Sequence, residues 1–262
     1  MNEKALRTLE FIKIRQMLSS LALTEPGQLC CDALLPYGSQ EQVERAQHQT
    51  EEALLILLRR GDSPLIHFKD VSAWLSLAQK GSTLPPRALL DTAELLRAAQ
   101  AAKAALGEDE QERTPQLTAL AARLEPQRQL ERAITDALIS EEEVADNASP
   151  QLADIRRHMR LANDRIRERL QAIAHGPQSS KYLQDSLVTM RNGRYVIPVR
   201  QEYRAMVPGL VHDQSSSGAT LFIEPMAVVE AGNELKEWQA KERVEIERIL
   251  ALLSARVAEA AD

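Results

Sequence analysis

Aromatic side chains are the scarcest class in this 262-residue chain, which holds three Phe, four Tyr and two Trp. Leu and Ala, by contrast, supply 73 residues. Sheets draw on aromatic and β-branched residues and helices on Leu and Ala, so the imbalance argues for a mainly α protein. Ten Gly, twelve Pro and two Cys exclude collagen-like, low-complexity and disulfide-stapled chains. Long apolar runs are also missing. The longest, Ala53 to Leu58, falls far short of the ~20 residues a membrane helix needs, so no membrane partner is expected. The start, Met1-Asn2-Glu3-Lys4, has no basic stretch leading into an apolar one; no secretory signal is legible, and a cytoplasmic location is the expectation. Cys30 and Cys31 are neighbours with no further Cys to complete a zinc site, which leaves two reduced, partly buried thiols.

The net charge of −6 hides an asymmetry. Between residues 151 and 204 stand eleven Lys or Arg against five acids, leaving −12 for the rest. Ten of those eleven cations are Arg, whose planar fork suits phosphate. A basic block in an acidic protein reads either as a local polyanion-binding surface or as a solvated helix face laced with internal salt bridges, Asp164 and Glu168 being the nearby acids.

Periodicity and breakers divide the chain into a helical core domain (1–148), an outgoing helix (149–186), a small β-rich segment (187–225) and a returning helix (226–262). Residues 3–22 read as an amphipathic helix with Leu6, Leu9, Ile12 or Lys13, Gln16 or Met17, and Ser20 or Leu21 on one side. Ser39 with Glu41-Gln42 opens a helix to about Arg60 in the manner of a capping box. Gly61 to Pro64 is a turn. Further helices fall at 71–79, from Pro85-Pro86 to Leu106, at 115–124 and at 127–140, with a charged loop at 107–114. Ser149-Pro150 is a strong helix start, and Leu152, Ile155, Met159, Ala162, Ile166, Leu170 and Ile173 then form one narrow stripe, near the geometry of a two-helix seam. Leu235, Trp238, Ile246, Ile249 and Leu253, interrupted by Glu242, form the matching stripe. Between the two, Asn192-Gly193 separates Leu187–Arg191 from Arg194–Val199, the strongest short-range hairpin signal. Two more short strands follow at 210–212 and 220–223. The expected fold is a helical core with long antiparallel lever helices and a small antiparallel β clamp at the tip.

Two stretches of that clamp carry a resemblance: Arg191-Asn192-Gly193-Arg194-Tyr195-Val196-Ile197-Pro198-Val199-Arg200-Gln201-Glu202-Tyr203-Arg204, and Gly209-Leu210-Val211-His212-Asp213-Gln214-Ser215-Ser216-Ser217-Gly218-Ala219-Thr220-Leu221-Phe222-Ile223-Glu224-Pro225. Together with the opening Leu6 to Ile14, they closely resemble the second bacterial MutS family, MutS-two, relatives of the mismatch-repair sensor. The resemblance implies an N-terminal fragment holding core, lever and clamp, with an ABC-type ATPase domain and a small Smr endonuclease domain downstream. It implies ATP and Mg as cofactors of the full-length protein and none for this stretch, a homodimer for the full-length protein, binding of branched DNA with restraint of homologous recombination, and action on stalled or collided ribosomes. No Gly-x-x-x-x-Gly-Lys-Ser/Thr loop occurs in the sequence.

Phosphate contact needs cations on short rigid elements. Lys181, Arg191, Arg194, Arg200 and Arg204 lie on or beside the expected sheet, and Arg156, Arg157 and Arg160 on the outgoing helix; these are the candidate nucleic-acid contacts. Strand alternation puts Arg194, Val196 and Pro198 on one face and Tyr195, Ile197 and Val199 on the other, while Asn192 suits the positive φ of a tight turn. Ser215, Ser216, Ser217 and Gly218 either offer hydroxyls and N–H groups to a phosphate or form a polar turn closing the sheet. His212 and Asp213, adjacent on a strand, point to opposite faces and do not pair toward a serine, so no catalytic residue is expected. Glu141-Glu142-Glu143 with Asp146 lacks further ligands and reads as a solvated acidic loop; His48, His67, His158 and His175 are scattered, and no metal site is expected. Three functions remain open: a DNA-binding clamp of a larger ATPase, a binder of structured RNA or the ribosome (rRNA) through the same cations, and a structural coiled-coil scaffold.

Overall fold

Thr24, Ser39 and Ser149 each cap a helix start in the computed structural model, which describes residues 3–61, 63, 65–106 and 112–261. In chain order the helices are α1 (Glu3–Thr8), α2 (Phe11–Leu21), α3 (Glu25–Ala33), α4 (Gln40–Arg60), α5 (Ser72–Gln79), α6 (Pro86–Ala105), α7 (Pro115–Ala122), α8 (Arg128–Ala137), α9 (Pro150–Ala174), α10 (Ser179–Tyr182) and α11 (Met226–Glu259). Strands β1 (Thr189–Arg191), β2 (Arg194–Arg200), β3 (Gly209–Gln214) and β4 (Thr220–Pro225) lie between α10 and α11. The protein is mainly α with one small antiparallel sheet. Most of the charged loop expected at 107–114, and Asp62 and Pro64 of the turn expected at 61–64, lie outside the described residues. The contacts divide the chain into two units, residues 1–145 with 249–262 and residues 146–248.

In the first unit, Ser39 caps α4: its Oγ accepts from the N–H of Gln42 at 3.3 Å, while Gln42 Oε1 accepts from the N–H of Gly38 at 3.2 Å. The far end of α4 closes on Gly61 at φ 82°, a conformation that favours glycine. Ala88, Ala93, Ala98 and Ala105 of α6 are buried, α6 packs against α8, and Leu89 and Ile134 are wholly enclosed. From the last turns of α11, Ser254 accepts the Leu84 N–H at 2.8 Å. Glu52 is buried within α4 and takes two backbone donors from the first turn of α7, Gln116 N–H at 3.1 Å and Leu117 N–H at 2.8 Å. It is a cap supplied from 64 residues away, satisfying N–H groups that a helix start leaves open.

One expectation for this unit fails. The single helix over 3–22 is two, broken where Glu10 takes the left-handed φ of 52°. No Gly or Asn marks that break. The apolar stripe is exposed as well, Leu9 at 58%, Ile12 at 46%, Met17 at 69% and Leu21 at 77%. Apolar spacing reports which side of a helix is greasy, not whether anything covers it.

In the second unit, Ser149 caps α9 by accepting the Leu152 N–H at 2.9 Å and donates its own hydroxyl to Glu245 of α11 at 2.6 Å. The predicted stripe is present: Leu152, Ile155, Ala162, Ile166 and Leu170 are buried, with Met159 and Ile173 packed at its margin. Its partner is more than a helix. From Ala162 to Ala174 the stripe shares one core with Val228, Ala231 and Leu235 of α11 and with Ile197, Val199 and Ile223 of the sheet.

The strands are ordered β1-β2-β4-β3, each neighbouring pair antiparallel. Arg191 pairs with Arg194 across the two-residue turn, where Asn192 and Gly193 sit at φ 52° and 68°, the positive values a type I′ hairpin needs. The first half of β2 pairs with β1 and its second half, Ile197 to Arg200, with β4. Residues Val196 through Val199 are all buried, so the two-faced alternation expected for this strand does not separate solvent from core. The segment at 183–184 runs beside it through a Leu183–Val199 bridge and a Gln184 N–H to Pro198 O bond of 2.9 Å.

Candidate nucleic-acid interface

Each arginine predicted as a phosphate contact on α9 has an acidic neighbour. Arg156 places Nε 2.7 Å from Glu242 Oε1 and Nη1 2.5 Å from Asp146. Arg160 reaches the other oxygen of Asp146 at 3.1 Å, and Arg157 meets Asp154 at 2.6 Å. Arg165 pairs with Glu234 at 3.3 Å. The hydrogen bond from Arg156, and then that from Arg160, hold the Asp146 carboxyl below the usual carboxylate range; the bond from Arg157 does the same for Asp154. Three of these acids, Asp146, Glu234 and Glu242, lie outside the 151–204 block, so the excess counted along the sequence is partly cancelled in space. The pairings match the reading of a salt-bridged helix face, with different acids from Asp164 and Glu168.

Within the sheet, Arg194 turns inward. Its Nη1 lies 3.2 Å from Glu224 Oε1 and its Nη2 donates to Asn233 Oδ1 at 2.7 Å. Glu224 is 2% exposed, and its second oxygen meets His212 Nε2 at 2.7 Å. His212 therefore pairs with a residue across the sheet rather than with Asp213. Gly232 leaves room for this cluster, since a Cβ there would stand 2.6 Å from Glu224 Oε1 and 2.9 Å from Arg194 Nη1. Arg204 braces the chain entering β3 by donating to the carbonyls of Val207 at 3.0 Å and Gly209 at 2.8 Å. Arg191 lies flat over Phe222, 4.5 Å from the ring centre, with Nε 3.3 Å from Asp213. Asn192 adds a bond from Nδ2 to the His212 carbonyl at 3.1 Å.

Two of the predicted cations differ from the rest. Among the described residues Lys181, Arg200 and Arg204 have no carboxylate within salt-bridge distance, and unlike Arg204 the first two have no carbonyl partner either; Lys181 stands 5.9 Å from the centre of the Tyr203 ring. The sheet register brings Arg200 toward the serine turn. Arg200 is opposite Thr220, and Gln201 N–H donates to Ala219 O at 3.0 Å. The Leu183–Val199 bridge sets α10, which carries Lys181, against the same end of β2. In the turn, Ser215 is committed to structure: its Oγ accepts the Thr220 N–H at 3.1 Å and its carbonyl accepts the Gly218 N–H at 2.8 Å. Gly218 holds φ 71°. Ser216 and Ser217 are exposed. Arg200, without a carboxylate partner, therefore lies beside a turn that exposes Ser216 and Ser217, the Ser217 hydroxyl sharing a 3.3 Å bond with Ser215 Oγ.

Sequence reasoning missed the Arg194–Glu224–His212 cluster. The signal available was an acid, Glu224, ending the apolar run Leu221-Phe222-Ile223, a place where a charge needs a partner. It also missed a contact between α9 and α11: the rings of His158 and Trp238 stack with centroids 4.4 Å apart and planes 8° from parallel.

The sequence has no phosphate-binding glycine loop, and among the described residues no group of three or more His, Cys, Asp or Glu could hold a metal. No described helix is long and apolar enough to cross a membrane.

The fold defines a mainly α protein with a small four-stranded antiparallel sheet. No family model matches the chain. Curated relatives do. A protein of Alkaliphilus oremlandii named Endonuclease MutS2 is 46% identical over 263 aligned residues, covering 100% of this chain and 33% of its own length. Its namesake in Symbiobacterium thermophilum is likewise 46% identical across 100% of this chain, and that of Clostridium botulinum (strain Eklund 17B) 43% identical across 98%. The chain belongs to the MutS2 family, and it spans about a third of the length of the relatives it matches.

Proposed function

We propose that this chain is a nucleic-acid grip: the β cap holds a phosphate backbone, without reading bases, at the corner formed by Lys181, Arg200, Ser216 and Ser217. The observation that carries this reading is that, of the cations predicted as contacts, Lys181 and Arg200 alone among the described residues have neither a carboxylate nor a carbonyl partner. Family membership supports DNA as the polyanion. In the intact protein the grip would serve a dimeric ATPase with an Smr endonuclease domain that engages branched DNA and restrains homologous recombination. ATP, Mg and bond cleavage would be handled by residues outside those of this chain, whose own role is binding in the cytoplasm.

The test is the double variant K181Q/R200Q, with fluorescence anisotropy on a four-way junction and on linear duplexes of two sequences across a salt series. Loss of two phosphate contacts reduces the log–log salt slope by about 2 and weakens all the DNAs alike. An unchanged slope overturns the corner as the contact, and a loss confined to one sequence overturns backbone-only binding. Ribosomes that displace junction DNA would redirect the reading to structured RNA. A wild-type chain with no salt-dependent affinity would leave a structural scaffold.

A further inference from the structure

Trp238 is one of two tryptophans in the chain, and it is only half-buried on α11. A large aromatic ring at a helix seam normally fills space, yet this one is arranged face-on. His158 of α9 lies parallel to it at 4.4 Å, and Lys241 Nζ stands 4.0 Å from the ring centre. The His158 side chain remains 33% exposed. The indole N–H is directed to Glu234 Oε1 at 3.4 Å, and Glu234 in turn holds Arg165. On the other side, Asp154 ties His158 to Arg157, whose side chain is 59% exposed. The result is a stacked, solvent-accessible aromatic pair with three cations around it.

Flat π faces set among mobile cations are the surface that proteins use for unpaired bases, because every base has a π face and the backbone follows the positive charge. A duplex offers its phosphates but keeps its bases stacked inside. We propose that the His158–Trp238 pair, with Lys241, is a stacking platform for an unpaired nucleobase, so that this chain prefers nucleic acid with single-stranded segments over a continuous duplex. This rests on the reading of the chain as a nucleic-acid grip and adds the kind of nucleic acid. Lys241 moves aside from the ring as the base arrives and follows its phosphate.

A W74F background leaves Trp238 as the only indole of the full chain. Titration with single-stranded oligothymidylate is expected to quench its emission, whereas inorganic polyphosphate, which has the charge and no base, leaves it unchanged. By anisotropy, W238L lowers the affinity for the single strand at least about fivefold and spares duplex affinity, while W238F, which keeps a flat ring, recovers most of the loss. Single-strand binding that is intact and salt-dependent, with emission unmoved or with W238L as tight as wild type, overturns the platform and leaves the phosphate corner standing. If neither DNA nor polyphosphate binds in a salt-dependent way, both readings fall. Circular dichroism of W238L checks that α9 and α11 remain folded; if they do not, H158A, which removes only the stacked ring, provides the same comparison.

Discussion

Arg156 and Glu242 meet at 2.7 Å, Nε to Oε1, from opposite helices of the seam, each side chain about one-fifth exposed. The same guanidinium also holds Asp146, beside the start of α9. An arginine tied down at two points is a brace between chain segments before it is a binding residue, because pulling it toward a phosphate would leave the part-buried Glu242 without its cation.

Arg156→Met is accordingly expected to lower the stability of the chain by about 1–3 kcal/mol, read as the shift of a urea unfolding midpoint. DNA affinity should change less than about twofold once folding is accounted for. A tenfold loss of affinity with unchanged stability would make Arg156 a direct contact.

Acid should loosen this same region. Asp146 is held below its ordinary range by Arg156 and then Arg160, and Glu245 by Arg248, with Ser149 adding to it. A carboxyl whose folded pKa is depressed stabilises the fold above its unfolded pKa, and that contribution disappears as pH falls through the folded value. Thermal melts should therefore be flat from neutral pH down to about 5 and fall steeply below about 4. D146N should shrink the fall, which would remain undiminished if other groups cause it.

Replacing Glu52 by Ala removes both acceptors for the first turn of α7. The expected cost is about 1–2 kcal/mol, as for other lost N-caps. Hydrogen exchange of the Gln116 and Leu117 amides should speed up more than that of amides in α9, and equal protection in both proteins would show that the bonds contribute little.

Ile166, 1% exposed, sits where α9 faces both α11 and the sheet. Ile166→Asp buries an unpaired charge and should cost several kcal/mol, broadening or abolishing cooperative melting. The same substitution at Arg167, exposed on the neighbouring position, should leave melting within about 0.5 kcal/mol of wild type. Equal tolerance at both positions would mean that the seam does not hold the unit together.

The features legible in the sequence are those set by neighbours four residues apart or fewer. Ser149-Pro150 opens α9 where its capping chemistry says it should, Ser39 opens α4, and Asn192-Gly193 makes the tight turn of β1 and β2. The stripe from Leu152 to Leu170 is buried as its spacing foretold. The break at Glu10 was invisible because a left-handed glutamate leaves no compositional mark. Alternation along β2 divides its residues between two faces, but which face is covered was not legible, since Val196 through Val199 are all buried by what packs against the strand.

Charge shows the division most clearly. The sequence by itself determined a mainly helical chain with a basic stretch, two long apolar stripes and a hairpin, since caps, periodicity and turn chemistry act over one or two turns of backbone. Only the tertiary structure decided which cations are engaged. Arg156 finds Glu242 from 86 residues away, Arg165 finds Glu234 from 69, and Arg194 finds Glu224 from 30, while strand register sets Arg200 opposite Thr220 at the end of the serine turn. Coulomb attraction depends on distance in space, and that distance is set only when the helices and sheet close on one another.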